Sequence, residues 1–132
     1  MTEEEKRDSK LLDSSIWLSY FLEGKYKDII EVSQGLFLSV LSLFEVQRKL
    51  HKSSLDKEKI KKSIEFIKEK SIILALTEEI ANRAVEIAVE KNLPTIDSLT
   101  NMTVIINNKI IYTEDNDFRG LLNAVVFEKQ KK

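Results

Sequence analysis

The sequence predicts an α/β protein, a three-layer α/β/α sandwich around a mainly parallel sheet of four to five strands. Three observations carry that expectation. Short apolar runs at 10–12, 36–39, 71–76, 110–112 and 125–127 alternate with segments of helical periodicity, the pattern of βα units. The run Ser71-Ile72-Ile73-Leu74-Ala75-Leu76 is apolar nearly throughout, as a strand covered on both faces would be. Several runs end in acids or hydroxyls, which a parallel sheet delivers to the crevice beyond the carboxyl ends of its strands.

The first run leads into Asp13-Ser14-Ser15. Asp13 has two readings here, a helix cap or a group delivered to a site. Residues 14–22 follow as a short helix with Ile16, Trp17, Tyr20 and Phe21 on one face, and Gly24 ends it. These aromatics are expected in the core, although they also suit a partner's groove. Residues 25–34 pattern weakly as a second short helix, stopped by Gly35. After the strand at 36–39 the chain turns directly into a helix over 40–52, whose apolar face holds Val40, Leu43, Phe44 and Leu50. At about 100° per residue, Glu45 falls beside Leu41 on the margin of that face. Pairing with Arg48 or Lys49 on the surface accounts for Glu45 equally well.

Asp56 opens a Lys-rich helix to about residue 70, with Ile60, Ile64 and Ile67 inward. Its lysines, Lys57, Lys59, Lys61, Lys62 and Lys68, read more simply as a solvated face than as an RNA contact. Thr77 caps the next helix, with Glu78 and Glu79 in the first turn and Ile80, Ala84, Ile87 and Ala88 inside. Asn92-Leu93-Pro94 breaks it. Residues 95–107 form another helix, with Ile96, Leu99, Met102 and Ile106 on one face and Asp97 in its first turn, where the helix dipole favours a carboxylate. The strand at 110–112 then ends in Thr113-Glu114-Asp115-Asn116-Asp117-Phe118, and 125–127 closes the sheet as an edge strand.

At 132 residues the chain is expected to be one domain, 1–132, with charged tails at 1–9 and 128–132. Hydrophobic residues make up 42% and charged residues 33%, an ordinary globular balance, and the formal net charge of -1 leaves any nucleic-acid binding to a local face. The absence of cysteine removes disulfides, thiolate metal sites and a cysteine nucleophile, and fits a reducing, cytoplasmic setting. A single histidine, His51, cannot form a two-histidine metal site and reads as a solvent- or dipole-facing residue at a helix end. Gly24, Gly35 and Gly120 are too scattered to cradle a phosphate. No apolar run approaches the ~20 residues needed to cross a bilayer, and residues 1–10 lack the apolar stretch of a signal peptide.

Asp13 follows the first strand, Glu45 lies early in the helix after the second, Asp97 opens the helix before the fourth, and Asp115 and Asp117 follow the fourth. A parallel sheet is able to bring these to one edge. Carboxylates held together repel and resist ionisation unless a cation neutralises them. A hard divalent ion such as Mg2+ takes oxygen ligands and needs neither histidine nor cysteine, and with phosphate as a further ligand it supports phosphodiester hydrolysis.

Four segments, Leu11-Leu12-Asp13-Ser14-Ser15, Ser39-Val40-Leu41-Ser42-Leu43-Phe44-Glu45-Val46, Leu93-Pro94-Thr95-Ile96-Asp97-Ser98-Leu99 and Ile111-Tyr112-Thr113-Glu114-Asp115-Asn116-Asp117-Phe118, resemble in order the motifs of PIN domains, especially the VapC-type toxins. The resemblance covers almost the whole chain, and the last motif is its most specific part. It implies a Mg2+- or Mn2+-dependent endoribonuclease in which Asp13, Glu45, Asp97 and Asp115 form the acidic cluster. Asp117 would join them as a further metal ligand, and the hydroxyls of Ser14 and Thr113 would orient water or carboxylates. It further implies an RNA substrate, a small antitoxin partner and a homodimer. The chain departs from the family pattern at Ser98, Thr100 and Asn101, changes expected to bear on packing, and in the residues after Glu45. Two other readings compete: a PIN-like module that binds RNA or protein with little turnover, and a nuclease of RNA maturation.

Overall fold

The structure, a computed structural model, describes residues 9–33 and 35–129. Most of the two tails, and Gln34 at the end of the second expected helix, lie outside these residues. Five strands, β1 (Lys10–Leu12), β2 (Leu36–Ser39), β3 (Ser71–Leu74), β4 (Ile110–Thr113) and β5 (Ala124–Val126), form one sheet. Its order is β3-β2-β1-β4-β5, with every neighbouring pair parallel. The helices are α1 (Ser14–Glu23), α2 (Lys27–Ile30), α3 (Val40–Lys52), α4 (Lys57–Lys70), α5 (Glu78–Glu90) and α6 (Thr95–Ile106), with a 3-10 turn at Asn116–Phe118. The expected three-layer α/β architecture is the one observed.

Alternation along the strands divides the core. Leu12, Leu36 and Leu38 face one layer and pack with Ile16, Trp17, Ile30, Val46, Leu50, Ile60 and Ile67 from α1 to α4. Leu11 and Ile111 face the other, against Val104 and Phe118, while Ile80, Ala84 and Met102 join α5 to α6. Full burial of such side chains stabilises by about 1.5–3 kcal/mol each relative to exposure. Trp17 is fully buried, with Tyr20, Phe21 and Phe66 ringed around it at centroid distances of 5.9–6.4 Å, so the aromatic face of α1 belongs to the core.

Three expectations are corrected. The run at 71–76 is a strand only to Leu74, and it is not covered on both faces: β3 is an edge strand bonded to β2 alone, and Ile72 is 58% exposed. The second short helix shrinks to Lys27–Ile30, because Gly24 caps α1 in a left-handed conformation and Tyr26 is also left-handed (φ 63°), which delays re-entry into helix. The inward face of α3 is Ser42, Val46 and Leu50 with Leu43 beside them, whereas Phe44 is 62% exposed and Val40 also faces outward. The helix begins on the last residue of β2, Ser39, which caps it by accepting from the Ser42 N–H at 3.0 Å, and this fixes its rotation.

Candidate metal centre

The sheet order makes β1 a switch point, since the chain leaves it for β2 on one side and returns as β4 on the other. The crevice of such a sheet lies beyond the carboxyl ends of those strands. Leu12 pairs with Tyr112, and the ladder runs one residue further through Asp13 N–H to Tyr112 O at 3.0 Å, which sets Asp13 beside Thr113.

Asp13 occupies the N-cap position of α1, yet its carboxylate makes no cap bond. Three hydroxyls hold it instead. Thr113 Oγ1 donates to Oδ2 at 2.7 Å, Ser15 Oγ donates to the same oxygen at 3.2 Å, and Ser42 Oγ reaches Oδ1 at 3.5 Å. Thr113 Oγ1 also accepts the Asp115 N–H at 3.0 Å, and Asp115 Oδ1 accepts the Asp117 N–H at 2.9 Å. This chain of short bonds turns the acids of the last motif towards α6.

Asp97 meets them there. Carboxylate oxygens of Asp97, Asp115 and Asp117 all lie within 4.8 Å of one another, the spacing of groups able to share one ion. Burial first, then Asp115 and Asp117 beside it and Asp13 further off, push the Asp97 carboxyl up to about 8. Burial likewise raises Asp13, with Asp115 adding to the effect and the Thr113 and Ser15 hydroxyls opposing it. Among the described residues no lysine or arginine forms an ion pair with any of these four acids. An all-oxygen set without a counter-charge suits a hard divalent cation.

Asp13 stands against this group without belonging to the 4.8 Å set, and Glu45 is outside it as well. Glu45 sits one turn beyond Ser42 on α3, half-buried, with Arg48 Nη2 3.8 Å from its Oε2. The Ser14 side chain makes no hydrogen bond among the described residues, and the neighbouring Ser15 hydroxyl is the one that bridges the first and last motifs. Ser15 Oγ accepts the Glu114 N–H at 2.9 Å while contacting Asp13 and Thr113. Sequence reasoning missed Ser15, Ser42 and Glu114. Ser42 left one signal, a serine three residues after the cap Ser39, but hydroxyls carry no hydrophobic period.

Glu114 is itself buried and turned away from the acids. Ser19 Oγ donates to its Oε1 at 2.9 Å and the Tyr26 hydroxyl donates to its Oε2.

The pattern of the PIN domain family matches residues 10–121, and the chain belongs to that family. Solved structures agree on the fold. A toxin-antitoxin complex from Klebsiella pneumoniae superposes with a TM-score of 0.70 at 19% identity, over 92% of this chain and 100% of that one. VapBC2 from Rickettsia felis, bound to a DNA fragment from its promoter, gives 0.70 at 15% identity over 90% and 97%. VapC20 from Mycobacterium tuberculosis, a toxin that cleaves the sarcin-ricin loop, gives 0.64 at 14% over 83% and 92%. None of the curated proteins matches the sequence.

Proposed function

We propose that this chain is a divalent-cation-dependent endoribonuclease, the toxin half of a toxin-antitoxin pair acting in the cytoplasm. The observation that carries the reading is the convergence of Asp97, Asp115 and Asp117 beside Asp13 at the switch point of the sheet. Their oxygens suit Mg2+ or Mn2+, which when bound activates a water and neutralises charge on the phosphate. Asp97, Asp115 and Asp117 would hold the ion, with Asp13 completing the negative field around it. Thr113 and Ser15 fix the orientation of Asp13, and the Asp115 N–H bond to Thr113 fixes the loop that carries Asp115. Glu45 on α3, half-buried and 3.8 Å from Arg48, would be the remaining acid of the set.

Likeness to toxins solved with their partners supports a small antitoxin protein as the partner of this chain. Exposed Val85 and Val89 on α5, beside a groove lined by Ala81, Ala84, Ala88 and Leu99, support self-association through that helix. Sedimentation velocity should find a dimer that Val85→Glu with Val89→Glu converts to a monomer.

The main test is cleavage of total cellular RNA by the purified protein with Mg2+ or Mn2+. EDTA and Asp13→Asn should each stop it, and cleavage that survives either treatment would sink the proposal. Folded protein that binds RNA without cation-dependent cleavage would identify a binding module instead. Growth arrest on expression, relieved by a small neighbouring reading frame, separates a toxin from a maturation nuclease.

A further inference from the structure

Asn101 lies at 0% exposure on α6, and neither its Nδ2 nor its Oδ1 has a hydrogen-bond partner. Leaving such groups unmade costs roughly 1–3 kcal/mol for each donor or acceptor, so a fully buried asparagine without partners calls for an explanation. Its position supplies one. Asn101 is four residues after Asp97 and three before Val104, so the three share one stripe of the helix. Val104 packs on Leu11 and Ile111, which places that stripe against the sheet. Two residues further along the same strands, on the same face, come Asp13 and Thr113. Asn101 therefore lies between the apolar floor and the carboxylates, and helical side chains lean towards the helix N-terminus, here towards Asp97.

Asp97 is the acid that needs a donor. Asp13 accepts from three hydroxyls and Asp115 accepts the Asp117 N–H, whereas the groups beside the Asp97 carboxyl are the carboxyls of Asp115 and Asp117.

We propose that Asn101 is a positioning residue of the acidic site: in the cation-loaded protein its Nδ2 donates to the Asp97 carboxylate and sets the direction in which Asp97 presents its free oxygen. This rests on the cation-dependent reading of the site. The i, i+4 spacing is the one at which helical side chains meet, and partners behind a metal ligand are what hold the ligand in register. The Asp97 carboxyl lies against those of Asp115 and Asp117, and the Asn101 amide beneath it has no acceptor.

The test measures Mn2+ binding by titration calorimetry or paramagnetic resonance, without RNA, in Asn101→Leu, which keeps the branched shape without the amide, and in Asn101→Ala. Both should bind Mn2+ on the order of tenfold more weakly than the unaltered protein. Both should melt in EDTA at the same temperature or higher, because an unpaired buried amide has gone. An asparagine that only fills space gives the opposite pair of results, a lower melting temperature in EDTA with unchanged affinity, and that outcome overturns the proposal. In the unaltered protein the side-chain NH2 resonances of Asn101 should shift during a Mg2+ titration. If they stay fixed while the backbone resonances of Asp97 and Asp115 move, the proposal fails even where both variants fail to fold. Mn2+ binding that is lost in Asp115→Asn but intact in Asn101→Leu removes this inference alone. No Mn2+ binding by the unaltered protein removes the cation-dependent reading and this inference with it.

Discussion

Glu114 and Asp115 are joined by one peptide bond, yet the first is buried among hydrogen-bond donors and the second faces other acids. Glu114 takes bonds from Ser19 and Tyr26, and its own N–H is received by Ser15. Asp115 lies with Asp97 and Asp117 inside 4.8 Å, and no described cation pairs with any of them. The difference separates a carboxylate that completes a structure from carboxylates that leave one incomplete. Neutral donors close the first cluster within the chain. In the second, burial and mutual repulsion hold the Asp97 carboxyl high, and no described lysine or arginine pairs with it.

The largest effect expected from breaking this contrast is on Asp115. Asp115→Asn should lower Mn2+ affinity and RNA cleavage by at least about a hundredfold with little change in fold, checked by calorimetry, a cleavage assay and circular dichroism. Glu114→Ala should do the reverse, orphaning the buried Ser19 hydroxyl and freeing the half-buried Tyr26 hydroxyl for a loss of about 1–3 kcal/mol in urea unfolding while the protein still binds Mn2+.

The pH response sharpens the same contrast. The Asp97 carboxyl is raised from 3.8 to about 8, so between those values the folded chain holds a proton that the unfolded chain has released. Stability in EDTA should therefore fall as pH rises across that window and level off above it. Asp97→Asn should flatten the slope, and Mg2+ at pH 8 should restore what was lost. The same slope persisting in Asp97→Asn would assign it to another group. The smallest expected change belongs to Tyr26→Phe, which removes one of two donors to Glu114 and should cost about 1 kcal/mol without altering cation binding.

Much of this arrangement was legible in the sequence. The apolar runs marked all five strands, Thr77 and Asp56 cap their helices as their residue types imply, and the acids of the first, third and fourth motifs stand where strand ends and helix starts deliver them. The phase of α3 was not legible. Phe44 suits an apolar stripe by type, but Ser42 takes the inward position because Asp13 lies in front of it. The exposure of β3 was hidden for a related reason: an apolar run states what a strand tolerates, and only the sheet order states which strand is last. Glu114 read as one more acid in an acidic segment, since the partner that gives it a different role, Tyr26, is 88 residues away.

That distance is general to the site. Asp13 and Thr113 are 100 residues apart and Ser15 and Glu114 are 99, so the two halves of the acidic centre come from opposite ends of the chain. A protein made from its N-terminus presents Asp13 and Ser15 early, with nothing to receive them. β1 gains its neighbour β4 only after the intervening strands and helices have been made. The acidic centre therefore cannot assemble in a fragment that stops short of Thr113, because Asp13 has no partner strand on that side until β4 is present.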